Sequence, residues 1–148
     1  MIDLNKMFKP ESVAVIGASN TPGKVGYIIV DNLINDGFEG AIYPVNPKGG
    51  EILGKKAYAN IKDIPEKVDL AIITIPVAFV NPTVKECGEA GVENMVVITA
   101  GFKEVGEEGA KLEAELTALG EEYGINIIGP NSLGITDSHT PLNGSFSQ

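Results

Sequence analysis

Residues 13–26 of this chain read Val13-Ala14-Val15-Ile16-Gly17-Ala18-Ser19-Asn20-Thr21-Pro22-Gly23-Lys24-Val25-Gly26. A short, branched apolar run that ends in glycine is typical of a buried parallel strand. The following stretch, Val25 to Asn35, carries apolar residues at helical spacing, and Asp36-Gly37 ends it. The segment therefore predicts a strand, a glycine-rich turn and a helix. Backbone N–H groups at such a helix start attract phosphate.

Strands and helices alternate along the rest of the chain. Further strands are predicted at 41–45, near 56–58, at 69–75, 94–98 and 125–128, and further helices at 79–90 and 107–123. This alternation predicts an α/β fold, a Rossmann-like doubly wound parallel sheet with helices on both faces. We expect the strand order 3-2-1-4-5, with the first strand central and the strand at 125–128 added. The ligand should then bind at the carboxyl ends of the strands, near the switch point beside strand one.

Length and charge limit the classes of function. The 148 residues suit one domain, which we place at 1–136, with the polar stretch 137–148 as a linker or the start of a following domain. A formal net charge of −9 argues against nucleic-acid binding, because that affinity comes from neutralising phosphates. No run approaches the roughly 18 apolar residues of a membrane span, so we expect a cytoplasmic protein without membrane contact.

Few residues suggest catalysis. Cys87 is the single cysteine, so no internal disulfide can form, and it is interpreted as a small core or boundary residue on a helix. His139 is the single histidine and lies in the polar tail, where a solvated side chain is expected. The chain has no cysteine and histidine cluster for zinc, and the carboxylates from Glu104 to Glu122 fit a solvated helix face. We therefore predict no metal site and no catalytic residue.

The nucleotide class follows only in part from the loops. The first turn has neither the G-x-G-x-x-G pattern of dinucleotide folds nor the G-x-x-x-x-G-K-[ST] pattern of P-loops. Dinucleotide folds usually end their second strand with an acidic residue that bonds the ribose hydroxyls. Here that place is held by Asn46-Pro47-Lys48-Gly49-Gly50. A lysine suits a ribose phosphate, which both NADP and coenzyme A carry, so this loop argues against NAD without separating the other two.

Five motifs in register carry a resemblance to a known family. They are Phe8–Ser19, Val45–Lys48, Asp69–Ile73, Ile98–Phe102 and Gly129–Ile135. Together they resemble, over nearly the whole chain, the CoA-binding domain of ADP-forming acetate–CoA ligases, relatives of the succinyl-CoA synthetase α subunit. Each motif is weak alone, but five in the same order are specific.

The resemblance implies coenzyme A (CoA) as the ligand and gives particular positions a role. The CoA phosphates would contact Gly17, Ala18, Ser19, Asn20, Thr21, Lys24, Val25 and Gly26. The adenosine end would contact Asn46, Pro47 and Lys48, with Lys48 at the 3′-phosphate, and the pantetheine arm would pass Ile75, Pro76, Ile98, Thr99 and Ala100. Asn131 would border the thiol end. Ser132 receives no nucleophilic role, because succinyl-CoA synthetases usually have cysteine there.

The resemblance also implies an activity larger than this chain. Family enzymes interconvert acyl-CoA, ADP and phosphate with free acid, CoA and ATP. They use a histidine in a second domain and an ATP-grasp domain or subunit, and neither fits into 148 residues. We therefore expect the amino-terminal piece of a larger enzyme, inactive alone.

Two alternatives stay open at this point. One is a stand-alone CoA-binding regulatory module, against which the loops at 98–101 and 129–131 argue. The other is an NADP-binding oxidoreductase domain, which the absent dinucleotide fingerprint weakens.

Overall fold

A five-stranded parallel sheet forms the centre of the protein. The computed structural model describes residues 9–99, 101–102 and 106–129 and, for the backbone alone, 136–137 and 142–143. The sheet strands are β1 (Ser12–Ile16), β2 (Ala41–Val45), β5 (Leu70–Ile73), β6 (Asn94–Val97) and β7 (Asn126–Ile128). Their order is β2-β1-β5-β6-β7, and every neighbouring pair is parallel. The predicted Rossmann-like α/β class is confirmed.

Three helices connect these strands. They are α1 (Val25–Asn35), α2 (Val80–Glu89) and α3 (Glu107–Tyr123). The bounds of α1 and α3 agree with the sequence prediction. The α2 helix begins later than predicted, because Val77–Phe79 first forms a turn of 3-10 helix after Pro76. A second 3-10 turn spans Ile61–Asp63.

The helices cover both faces of the sheet. Because side chains alternate along a strand, Val13 and Val15 of β1 face α1, where they meet Ile29 and Leu33. Ala14 of the same strand belongs to the opposite core with residues of α2 and α3. The side chains of β1, β5 and β6 are nearly all fully buried, as expected for a parallel sheet that is covered on both faces.

The predicted third sheet strand is wrong. The chain after β2 instead forms a small antiparallel pair, β3 (Glu51–Ile52) and β4 (Lys55–Lys56), and only Tyr58 makes an isolated parallel bridge to Val45. The cause lies in backbone turns that the glycines permit, since Gly50 and Gly54 both have positive φ angles. The sheet therefore ends at β2. The middle strand is β5, and β1 lies second from the edge rather than at the centre.

The switch point lies where it was expected. The chain leaves β1, returns to β2 on one side of it, and later supplies β5 on the other side. The carboxyl ends of these three strands therefore meet beside Gly17, the usual place for a ligand in an open α/β sheet. Near the end of the chain, β8 (Thr136–Asp137) pairs antiparallel with β9 (Leu142–Asn143). The domain boundary at 136 remains a prediction.

Candidate functional site

The turn between β1 and α1 brings two backbone segments unusually close together. Gly17 has φ +98°, and a Cβ atom there would lie 2.5 Å from the carbonyl oxygen of Thr74. Gly26, in the first turn of α1, packs directly against the carbonyl group of Gly17. Neither position has room for a side chain, so the two glycines allow α1 to start immediately beside the ends of β1 and β5.

Not all N–H groups of this turn are free to hold a ligand. The N–H groups of Gly17 and Ala18 both donate to the carbonyl oxygen of Val45, at 3.0 and 3.2 Å. The N–H of Thr21 donates to Ser19 Oγ at 2.9 Å. By contrast, α1 starts without a side-chain cap and without an acidic residue in its first turn. The anion-attracting part of the turn is therefore the start of α1, with the exposed Lys24 at its N-cap.

Asn20 and Asn46 were predicted as ligand contacts, and the structure gives both side chains protein partners. Asn20 Nδ2 donates to the Glu51 carbonyl at 2.7 Å, and Asn20 Oδ1 accepts from the Leu53 N–H at 3.1 Å. Asn46 Nδ2 donates to the Ala18 carbonyl at 2.9 Å, and its Oδ1 accepts from the Lys48 N–H at 2.8 Å. The two amides thus fasten the first turn to the segment that carries Lys48.

A pocket opens at the carboxyl ends of β1, β2 and β5, on the α2 face of the sheet. Its volume is about 440 Å³, within the range of small-molecule sites. Its lining residues are Ile16, Gly17, Val45, Pro47, Ala59, Asn60, Ile61, Ile75, Pro76, Phe79, Thr83 and Glu86. The pocket thus brings together the predicted residues Gly17, Pro47, Ile75 and Pro76.

Sequence reasoning missed the wall that α2 provides. Thr83 and Glu86 lie three residues apart on one face of α2 and line the pocket with Phe79, which ends the 3-10 turn just before the helix. Phe79 is 61% exposed, the one large apolar side chain so exposed among the described residues. An exposed aromatic ring at the rim of a pocket offers a flat surface on which a ring of a ligand can stack.

Hydrogen bonds fix the wall opposite α2. Asn60 Nδ2 donates to Glu86 Oε2 at 2.5 Å, and Asn60 Oδ1 accepts from the Lys62 N–H at 2.9 Å, which caps the 3-10 turn. Farther out, Lys62 Nζ and Glu89 Oε1 form an ion pair at 2.6 Å. This bond raises the pKa of Lys62 and lowers that of Glu89. Since both groups are exposed, the pair adds little stability.

The loop after β6 is tied to the loop after β5. Thr99 Oγ1 donates to the Ile75 carbonyl at 2.6 Å, which places Thr99 beside the pocket residue Ile75. The Ile98 side chain is buried in the core on the α1 side. The predicted contacts Ala100 and Asn131 lie outside the described residues, as do Ser132 and His139.

Cys87 is a core residue, as its sequence context predicted. Its side chain is fully buried on α2, and burial raises the pKa of its thiol to about 12, with the nearby Glu86 adding to the shift. Because the thiolate is the nucleophile, this thiol is unsuited to catalysis near neutral pH.

The Cys87 thiol should contribute to alkaline unfolding. Its folded-state pKa lies above the ordinary value of 9.0, so between pH 9 and about 12 the folded chain holds a proton that the unfolded chain loses. The free energy of unfolding should therefore fall through this range. Tyr43 and Tyr123 also have raised pKa values and act in the same direction. Denaturation by urea at several pH values should show that the free energy of unfolding falls less steeply with pH in Cys87→Ala than in the unsubstituted chain. An equal fall in both would contradict the raised pKa of the Cys87 thiol.

Metal-ligating clusters and membrane-spanning helices are both absent from the described residues. Within residues 9–99, 101–102 and 106–129, no group of three or more histidine, cysteine, aspartate or glutamate side chains could hold a metal ion. Among the helices of the described part of the chain, none has the length and apolar character needed to cross a bilayer.

Comparison with protein families identifies the kind of domain. Residues 11–138 match the family described as the CoA-binding domain. The chain belongs to this family. The expected ligand class, coenzyme A, is thereby confirmed, and the turn and pocket described above lie within the matched residues.

Individual relatives are much longer than this chain. The α subunit of an ADP-forming acetate–CoA ligase from Pyrococcus furiosus is 48% identical over 98% of the chain, which spans 32% of that subunit. An ADP-forming 4-hydroxybutyrate–CoA ligase from Nitrosopumilus maritimus is 43% identical over 95% of the chain, and the chain covers 20% of that ligase. Among solved structures, a dinucleotide-forming acetyl-CoA synthetase from Candidatus Korarchaeum cryptofilum, in complex with phosphate and ADP, is 43% identical with a TM-score of 0.95. The chain covers 31% of that structure, and 99% of the chain is matched.

Proposed function

We propose that this chain is the CoA-binding part of an ADP-forming acyl-CoA synthetase. The whole enzyme would convert acyl-CoA, ADP and phosphate to free acid, CoA and ATP. The observation that carries the proposal is the pocket at the switch point, next to an uncapped helix start, in a chain that matches ligase subunits along nearly its whole length. The greater length of these relatives supports the synthetase over a stand-alone regulatory module.

The geometry supports one orientation of CoA. The diphosphate lies at the start of α1, which has no side-chain cap and where the exposed Lys24 supplies a cation. The adenine lies in the pocket between Pro47, Pro76 and Phe79. The 3′-phosphate then reaches Lys48, and the pantetheine arm runs toward Thr99. Ala100 and Asn131 stay predicted contacts of the arm and its thiol end. In this arrangement Ile75 and Pro76 contact the adenosine end before the arm passes.

The remaining steps of the reaction belong to other parts of the enzyme. The two relatives are named for different acids, acetate and 4-hydroxybutyrate, yet both are similar to this chain over almost all of it. The acid is therefore selected elsewhere, and an ATP-grasp domain or subunit handles ADP and ATP. The cytoplasm remains the expected compartment.

Calorimetric titration tests the proposal most directly. The chain should bind CoA, bind dephospho-CoA more weakly, and bind NADP and ATP least. Affinity for CoA can be modest, because partner domains would close over the thiol end. The chain alone should synthesise no ATP from acetyl-CoA, ADP and phosphate. Tighter binding of NADP than of CoA would favour the oxidoreductase alternative, and ATP synthesis by the chain alone would refute an incomplete enzyme.

Phe79→Ala should weaken CoA binding about tenfold without lowering stability. Stacking of a base on an aromatic ring is worth roughly 1–3 kcal/mol by alanine substitution, whereas a ring that is 61% exposed contributes little to the core. Titration with CoA measures the first effect and thermal unfolding the second. Phe79→Trp, which keeps an aromatic face, should bind CoA about as tightly as the unsubstituted chain. Equal affinities of the alanine variant and the unsubstituted chain would place the adenine elsewhere.

A further inference from the structure

One acidic side chain lies in a pocket that should receive a polyanion. Asn60, Thr83 and Glu86 are the polar side chains of the lining, and the rest of the wall is mainly apolar. CoA carries three phosphate groups, so a carboxylate in its site needs a compensating contact. Glu86 is also partly buried, and a desolvated carboxylate costs free energy unless it accepts hydrogen bonds.

The structure holds this carboxylate in a defined position. Its Oε2 atom accepts a hydrogen bond from Asn60 at 2.5 Å, and Asn60 is itself fixed by its bond to the Lys62 N–H. The Lys62 ammonium attracts this carboxylate from a distance, but its ion pair is with Glu89. Among the hydrogen bonds within the described part of the chain, none reaches the second oxygen, Oε1. One acceptor at the pocket wall is therefore available to a ligand.

The chemistry of the bases indicates what this acceptor recognises. A carboxylate can only accept hydrogen bonds, so its partner must be a donor. Adenine presents an exocyclic amine at its 6-position, whereas guanine and hypoxanthine present a carbonyl oxygen there. An adenine stacked on Phe79, at the N-cap of α2, would turn its edge toward Thr83 and Glu86, since all three residues line the same pocket.

We propose that Glu86 recognises the exocyclic amine of adenine and makes this site selective against 6-oxo purines. The inference rests on the proposed function, because it assumes that the adenine of CoA occupies the pocket. Asn60 acts as a positioning residue, which holds one carboxylate oxygen so that the other meets the base. Glu86 is then a specificity-determining residue that contributes to CoA binding and not to the reaction itself.

The test compares CoA with its hypoxanthine analogue, in which a carbonyl oxygen replaces the 6-amine. The unsubstituted chain should bind CoA at least about tenfold more tightly, as expected for a hydrogen bond to a charged group. In Glu86→Gln the amide oxygen can accept from Asn60 while the amide nitrogen donates to the 6-oxo group. This variant should lose the preference or reverse it. Glu121→Gln makes the same charge change on the exposed surface of α3, outside the pocket, and should keep the preference.

The outcomes separate this inference from the function on which it rests. Equal affinity of the unsubstituted chain for both ligands overturns the inference and leaves CoA binding intact, and this measurement needs no variant. Failure to bind either ligand overturns the proposed function as well. If Glu86→Gln weakens both ligands by the same factor, Glu86 only shapes the pocket and the inference is wrong. Asn60→Ala should lower the preference with a smaller effect than Glu86→Gln, because the carboxylate stays but is no longer held.

Discussion

Gly26→Ala should abolish measurable CoA binding and lower the melting temperature by about 5–10 °C, the result of roughly 1–3 kcal/mol of overpacking. A Cβ atom at this position would overlap the carbonyl oxygen of Gly17 and lie 2.7 Å from its carbonyl carbon and 2.9 Å from Ala18 Cα. All three are backbone atoms, so no flexible side chain can move aside. The start of α1 must shift away from the end of β1, and the first turn loses the geometry that would hold the diphosphate.

Thermal unfolding and titration with CoA, done below the melting point of the variant, measure the two effects separately. Gly23→Ala is the matched control, since it lies in the same turn and a Cβ atom there meets nothing within 4 Å. Its φ of +92° still makes alanine unfavourable by about 1–2 kcal/mol. The control should therefore lose some stability and keep most of its CoA affinity. Undiminished binding by Gly26→Ala would contradict the role given to the close contact.

Local pattern was enough to predict the parts of the fold that are regular. Branched apolar runs such as Val13–Ile16 predicted the sheet strands because burial on both faces of a parallel sheet demands such residues. Helical spacing and the terminating Asp36-Gly37 predicted the bounds of α1. The prediction for residues 49–60 failed, because a turn made by glycines with positive φ leaves no periodicity that distinguishes a short hairpin from a strand of the main sheet.

The site could be predicted only where a residue type carries its own chemistry. Glycines after a strand and a lysine after the second strand indicated phosphates without any structure. The protein partners of Asn20 and Asn46 could not be predicted in this way, because the carbonyl groups that accept from their Nδ2 atoms lie 31 and 28 residues away in sequence. No pattern in the sequence distinguishes Glu86, since a glutamate on an amphipathic helix is usually solvated, and only the fold places it against the pocket.

Lys48→Ala should weaken CoA binding about ten- to a hundredfold and change dephospho-CoA binding much less. The two ligands differ only in the 3′-phosphate, and a charge-assisted hydrogen bond is worth roughly 1.5–3 kcal/mol. The chain carries 20 acidic and 11 basic residues, so a phosphate requires a local cation. The backbone N–H of Lys48 donates to Asn46 Oδ1 at 2.8 Å, and Asn46 in turn bonds the first turn. The lysine therefore extends from a fixed turn beside the pocket residue Pro47.

Titration of both ligands at low and high salt measures this effect, and higher salt should shrink the difference between them. Two control variants distinguish a direct contact between Lys48 and the 3′-phosphate from the general effect of removing a positive charge. Lys55→Ala removes the same charge from the exposed β4 strand and should leave the ratio of the two affinities unchanged. Lys24→Ala should weaken both ligands alike, because both carry the diphosphate. If Lys48→Ala also weakens both alike, Lys48 contacts the diphosphate or only shapes its loop. If it changes neither, the adenosine end of CoA lies elsewhere.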